Sequence, residues 1–446
     1  MVTLQKKKTE YLDCESIRLL GLIVERNNSQ DKKDADKLVG SFGEMEYLDL
    51  SDKLIGGGVF YKQNIFGEKS EQWSRSENEI LIGFDEDGYP EFIKFIDNLY
   101  KETQVCLLVS REFLIDCAFL WFVNAFKDKK IGQTYTSYIV DLINGAIVEW
   151  DLRFLLLYVH IKKPFEIGGV EFNYFKKEEF DIIGKHNPET QKEFQRKYAG
   201  RVYAKCTIAA EKQKAIEIGR ELCSQAVDVL KICSVAMLLP QVRINFDLDI
   251  RATVVQKSEV FITRPKIDEI TLVGTNNAIP YVIGDHEWDL MQEFGMQFYH
   301  NFLKQIRGRT LSELEQLLIN AIRRFGDAFS THNKHRRVVE LFTIMESLLL
   351  HNANTPIIDS VVKYCSKITS KEPSQRKEIA SVLKKMYGVR SALIHHAKEV
   401  AFTMDELRYL QHIVNTLLIN MMLRTTNYQT KQQILEEIDE AINAAY

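Results

Sequence analysis

The chain is poor in proline and has no paired cysteine motif. Eight Pro in 446 residues are too few for an extended Pro-rich architecture. The seven cysteines, at positions 14, 106, 117, 206, 223, 233 and 365, are scattered and include no Cys-x-x-Cys. That spacing excludes a zinc knuckle or a disulfide framework and suits a reducing compartment. Long apolar runs are also missing. The most apolar stretch, Phe113 to Phe126, is too short and too interrupted to cross a bilayer. The basic start, Met1 to Glu10, leads into no apolar signal core. A cytoplasmic protein with no membrane partner is therefore expected. The formal charge of -4 excludes a uniformly basic nucleic-acid coat but leaves room for a local basic patch.

Several chemistries lack their residues. Gly56-Gly57-Gly58 is followed by no Gly-Lys-Ser/Thr and reads as a flexible turn rather than a phosphate cradle. Asp85-Glu86-Asp87-Gly88 lacks the twelve-residue spacing of a calcium loop and reads as a solvated turn after the strand Glu79 to Phe84. His332, His335, His351 and His412 have no neighbouring carboxylate or cysteine at metal-ligand spacing. No metal and no cofactor are expected.

What the chain does contain is ordinary globular composition, 45% hydrophobic and 27% charged. Its length implies two or three domains. Residues 1–105 read as a mixed α/β N-terminal region of short strands and turns. Residues 106–300 read as helical to 147, with Trp121 in the core, and then as α/β and strand-rich. A hairpin is expected at Gly168-Gly169, a strand at Arg201 to Ala209, and a helix from Ala210 to Met237. Ile279-Pro280 reads as a turn or edge position. From 310 to 446 only helices are expected. Ser312 with Glu315, Thr403 with Glu406 and Thr430 with Gln433 are capping-box patterns. Pro356 opens a short helix, and Ser374 is the expected N-cap of the next. The expected fold class is α+β, a mixed N-terminal region followed by an all-α bundle of five or six helices.

The most informative stretch lies in that bundle: Tyr387-Gly388-Val389-Arg390-Ser391-Ala392-Leu393-Ile394-His395-His396. A permanent cation and a group that titrates near neutral pH can together cut a phosphodiester without a metal. Spacing alone carries little. With 21 Arg and 10 His, any one Arg–His spacing arises by chance roughly 0.5 times. Arg153 and His160, in a strand-like apolar run, form such a pair and read as fold. The context distinguishes the C-terminal pair. A helix carrying Met345-Glu346-Ser347-Leu348-Leu349 precedes it by some forty residues.

Residues 311–424 resemble a HEPN domain, most closely of the Apea-like type. The resemblance rests on that Glu346 helix and on the tyrosine, the Arg-Ser pair and the histidine after a further three residues ending in aliphatics. The glycine that often follows this histidine in the family is His396 here. The resemblance implies a metal-independent endoribonuclease acting as a symmetric homodimer through the HEPN domain, of the kind found among toxins and anti-phage abortive-infection effectors. It carries Arg390 and His395 over as the catalytic pair.

On an ideal helix, five positions turn the chain about 140° past a full turn. Arg390 and His395 then do not share a face unless the helix ends near His395. Two copies meeting across a two-fold axis would supply one cleft jointly. In it, His395 exchanges the proton of the ribose 2′-hydroxyl or of the departing 5′-oxygen, and Arg390 holds the phosphate. Glu346 is expected to orient Arg390 or the histidine; Tyr387, Ser391 and His396 are supporting candidates. Between 310 and 398 stand 14 Lys and Arg against 8 Asp and Glu. Arg336, Arg337, Lys384 and Lys385 are the expected RNA contacts. The surplus length of residues 1–300 points to a sensor, with a trigger, phage-derived or other, acting at the N-terminal region. The alternative is a non-catalytic HEPN module that binds RNA or a protein or serves dimerisation.

Overall fold

The computed structural model describes residues 2–27, 59–63, 67–75, 80–128, 132–181, 188–249, 258–263, 270–275, 280–351 and 357–444. Gly56-Gly57-Gly58, Ile279 and Pro356 lie outside them. The chain divides into two compact units, 1–150 with 207–218, and 151–206 with 219–446.

The first unit packs helices on a four-stranded antiparallel sheet. The strand order is Val24–Asn27, Ile80–Phe84, Lys69–Arg75, Val59–Gln63. The turn expected after Phe84 is there, with Asp85 Oδ1 accepting from Gly88 N at 3.1 Å. It leads directly into the helix Gly88–Tyr100. Residues 106–147, which the sequence presents as the helical start of a middle region, fold with the N-terminal sheet. The reason is aromatic packing. Phe119 and Phe122 of the helix Arg111–Asp128 meet Phe84 and Phe92, whose rings stack at 4.7 Å. Trp121 is core, as expected, and its Nε1 donates to Gln133 O. The helix Lys6–Leu20 replaces the strands and turns expected at the N-terminus. It hides few apolar groups, among them Leu12 and Leu19.

The second unit begins with a five-stranded sheet, ordered Asp247–Leu248, Val148–Leu157, Val202–Ala210, Val170–Tyr174, Phe165–Ile167; the unit boundary runs through two of these strands. The hairpin expected at Gly168-Gly169 is present, and both residues adopt positive φ, 60° and 83°, which a side chain would disfavour. Arg153 sits in the second strand, bonded to Glu179 and stacked over Phe175 and Tyr203. It is structural, as the sequence implied.

The chain ends in helices. Asp285–Glu293 and Met296–Ile306 precede a bundle made of Glu313–Ser330, Lys334–Leu349, Ile357–Thr369, Pro373–His396, Met404–Arg424 and Lys431–Asn443. The fold is α+β, with the mixed region first and the all-helical region last, as expected. All three capping boxes form. Each hydroxyl accepts from a backbone N–H that would otherwise lack a partner, typically worth about 1 kcal/mol. Ser374 is not the N-cap of the fourth bundle helix; Glu372 is, with Pro373 as first helical residue. Proline's fixed φ and missing N–H suit that position. Leu314, Leu318, Phe325, Leu341, Met345, Leu383, Met386, Leu410 and Leu417 form the buried seam.

Candidate functional site

The helix Pro373–His396 runs unbroken through the whole motif and stops one residue after His395. Ala397 takes the left-handed conformation, φ 49°. Its N–H donates to Leu393 O at 3.0 Å, and Lys398 N donates to Ala392 O at 3.1 Å. These bonds satisfy carbonyls that a helix end leaves open. The stop falls where the sequence required one, but too late to bend Arg390 and His395 toward each other.

Arg390 turns inward toward the neighbouring helix Lys334–Leu349. Its Nη2 donates to Glu346 Oε2 at 3.1 Å, and the two side chains are only 13% and 16% exposed. The guanidinium also lies over the Tyr387 ring, 5.5 Å from its centroid. Tyr387 in turn sets an edge against Phe342 at 5.5 Å. Glu346 therefore orients the arginine and not the histidine. The pair is incompletely satisfied: Arg390 Nε and Glu346 Oε1 are buried without a hydrogen-bond partner. Burial pushes the Glu346 carboxyl above its ordinary pKa, and Arg390 opposes that shift without cancelling it.

His395 lies on the other side of the helix end and is exposed, as is His396; their ring centroids are 6.4 Å apart. Among the described residues, no hydrogen bond or ion pair joins His395 to Arg390. Ile394, next to the histidines, is 51% exposed. Ser391 is half-buried beside Arg390 in sequence.

The four expected RNA contacts divide. Arg336, Lys384 and Lys385 are exposed, although Lys385 is paired with Glu406. Arg337 is a correction: it is 2% exposed. Its guanidinium donates to Ala328 O, Pro240 O, Thr331 O and Gln411 Oε1 and stacks over Phe329. Successive helix residues point about 100° apart, so Arg336 faces solvent while Arg337 enters the core.

Two features were missed. A polar cleft opens between the first two bundle helices, lined among others by Asn320, Arg323, Arg324, Arg336, Glu340 and Thr343. The spacing 336, 340, 343, 347 on one helix is a polar stripe that the sequence already displays. At the end of the second bundle helix, His351, Tyr364, Lys363 and Asp439 form a hydrogen-bonded cluster. The sequence shows no sign of it because the residues lie on three elements. Among the described residues, no group of three or more His, Cys, Asp or Glu is placed to hold a metal ion, and no helix is long and apolar enough to cross a membrane.

Comparison with family models, with curated proteins and with solved structures gives no match for this chain.

Proposed function

We propose that the protein is a metal-independent endoribonuclease of the HEPN type that cleaves RNA as a homodimer. Arg390 and His395 carry the chemistry. One observation supports this most directly. Arg390 is held rigidly by Glu346 and Tyr387 yet keeps a buried Nε–H without an acceptor, while His395 stands in solvent at the end of the same helix. Swung out of its pairing with Glu346, the Arg390 guanidinium would offer its donors to a phosphoryl oxygen, and an exposed imidazole can exchange protons.

The roughly 140° between the two positions makes a site within one chain a poor fit. A two-fold pairing of the motif helices brings two such sets to one cleft. There one His395 removes the proton from a ribose 2′-hydroxyl. The 2′-oxygen attacks phosphorus, the bond to the 5′-oxygen breaks, and the second copy of the histidine returns a proton to that oxygen. The products are a 2′,3′-cyclic phosphate and a 5′-hydroxyl. DNA lacks the internal nucleophile. General acid–base assistance of this kind is typically worth about 10²–10⁴-fold. The biological role that fits is a cytoplasmic toxin or anti-phage abortive-infection effector, restrained by residues 1–300 until a trigger arrives.

The test is incubation of purified protein with total RNA in EDTA, with the new ends mapped. Cleavage should leave cyclic phosphates; His395→Ala should lower it at least about 10²-fold without changing the thermal midpoint, and Arg390→Ala should lower it as much while also lowering the midpoint, because it strands the largely buried Glu346 carboxyl. A requirement for added magnesium would sink the mechanism. The second reading is a module that binds RNA or a protein without cutting. It is favoured by Arg390 being already paired and largely covered. Unchanged RNA binding and no cleavage by the native protein would select it.

A further inference from the structure

Two thiols meet inside the second unit. Cys206 lies in the strand Val202–Ala210 and Cys223 in the helix Lys212–Ile232. Their sulfurs are 3.9 Å apart, with Cys223 donating to Cys206. Both are buried, at 2% and 0% exposure. All seven cysteines are free, and among the described residues no other two thiols hydrogen-bond. A glycine permits the approach. Gly219 stands one turn before Cys223, and a Cβ there would come within 3.0 Å of Cys206 Sγ and 2.7 Å of Leu152 Cδ1. Cys206 instead reaches the Gly219 carbonyl at 3.8 Å.

Burial ordinarily leaves a cysteine inert, because the thiolate is the reactive form. Cys233 and Cys365 follow that rule: burial pushes both thiols up. The pair departs from it. The hydrogen bond received from Cys223, with the positive Arg307 nearby, outweighs burial and holds the Cys206 thiol below its ordinary pKa. Cys223, as the donor and by its burial, is pushed up. The two thiols are thus unequal, one suited to attack and the other to resolve.

Their place in the chain gives the pair a consequence. Thr207–Ile218 belongs to the first unit, and the chain on either side of it to the second. Cys206 is the residue before this excursion, and Cys223 follows it within two turns of helix. We infer that Cys206 and Cys223 are a peroxide-sensitive pair whose disulfide joins the two ends of that excursion. The Cys206 thiolate attacks one oxygen of hydrogen peroxide; the O–O bond breaks, leaving a sulfenic acid and hydroxide. The Cys223 sulfur then attacks the sulfenyl sulfur, the S–O bond breaks, and the hydroxyl takes the Cys223 proton and leaves as water. The two thiols lose two electrons to the peroxide. The sulfurs must close by about 1.9 Å to reach bonding distance. Because both are covered, the reaction proceeds through local opening, which admits hydrogen peroxide more readily than a bulky oxidant. None of this depends on Arg390 or His395, so the pair stands whether or not RNA is cut.

The experiment treats the full native chain with hydrogen peroxide, blocks the remaining thiols by alkylation and maps the peptides by mass spectrometry. The product should have lost two hydrogen atoms, carry a Cys206–Cys223 disulfide in most molecules, and revert with dithiothreitol. Amide exchange across residues 207–218 should slow at least about threefold in the oxidised form. In Cys223→Ala, dimedone should trap a sulfenic acid at Cys206; in Cys206→Ala, it should leave Cys223 unlabelled. The native map decides even where a variant fails to fold. The inference is overturned if the pair stays reduced while the exposed Cys14 is oxidised, or if the link forms no more readily in the folded chain than in urea. Dimedone on Cys223 in place of Cys206 would overturn it as well.

Discussion

Arg337 brings a charge into the interior with four neutral oxygens as its hydrogen-bond partners. Burial pulls its guanidinium down to about 10, so it stays charged at neutral pH. Truncation would strand buried carbonyls as well as remove the cation. Each such group costs about 1–3 kcal/mol when left unsatisfied. Arg337→Ala should therefore destabilise the protein by roughly 3 kcal/mol or more, read as a lower urea midpoint. An Arg336→Ala control should lie within about 0.5 kcal/mol of the native protein. Equal stabilities for the two variants would refute the buried role. Neighbouring arginines of the same type thus do unrelated work, and only the helix's rotation separates them.

The terminal helix Lys431–Asn443 buries Ile434, Leu435 and Ile438 against the bundle and is tied by polar contacts as well. Tyr364 donates to Asp439 Oδ2 at 2.8 Å, Lys363 Nζ lies 2.7 Å from Asp439 Oδ1, and Lys431 Nζ donates to Ser347 O at 2.8 Å. Burial alone would raise the Asp439 carboxyl. The hydrogen bonds from Lys363 and Tyr364, with the nearby positive groups, outweigh it and hold the carboxyl below its ordinary pKa. A depressed carboxyl stabilises the fold above its unfolded value, about 3.9, and loses that contribution as pH falls through the folded value. The tie is partly exposed, so its worth is about 1 kcal/mol or less. Amide protection factors in residues 431–443, corrected for the intrinsic pH dependence of exchange, should fall selectively below about pH 4, and Asp439→Asn should show the lowered protection already at pH 7. Uniform exchange across the bundle would contradict this. The capping boxes and the hairpin were legible in the sequence because a few adjacent residues specify them. The helix Lys6–Leu20 was not, since its lysine-rich start masks a sparse apolar face. Nor was the Glu372 cap, because Ser374 competes with it as the more familiar residue while Pro373 decides the geometry.

The position of the motif was readable in advance, since the periodicity of 379, 382, 383, 386 and 389 sets the helix and its inner face. How its two key side chains relate was not, because that depends on the neighbouring helix bearing Glu346, which turns Arg390 inward. If two copies build the site, ribonuclease activity per protomer should fall on dilution below the dimer dissociation constant, in step with the dimer fraction seen by light scattering. Activity that is constant per protomer down to fully monomeric protein would rule the shared site out. Ile394 offers a separate probe, being 51% exposed next to His395. Ile394→Lys should shift the dilution midpoint to higher concentration if that face is covered in the active form.

Glu346 has one more effect on whatever anion reaches Arg390. A carboxylate only 3.1 Å from the guanidinium repels the newcomer as well as holding the arginine still, and the repulsion scales with the newcomer's charge. A monoanionic diester inside a strand is penalised about half as much as a dianionic terminal monoester. The guanidinium's attraction scales with the same charge, so the two largely offset, and Arg390 acts as a directional donor more than as a long-range lure.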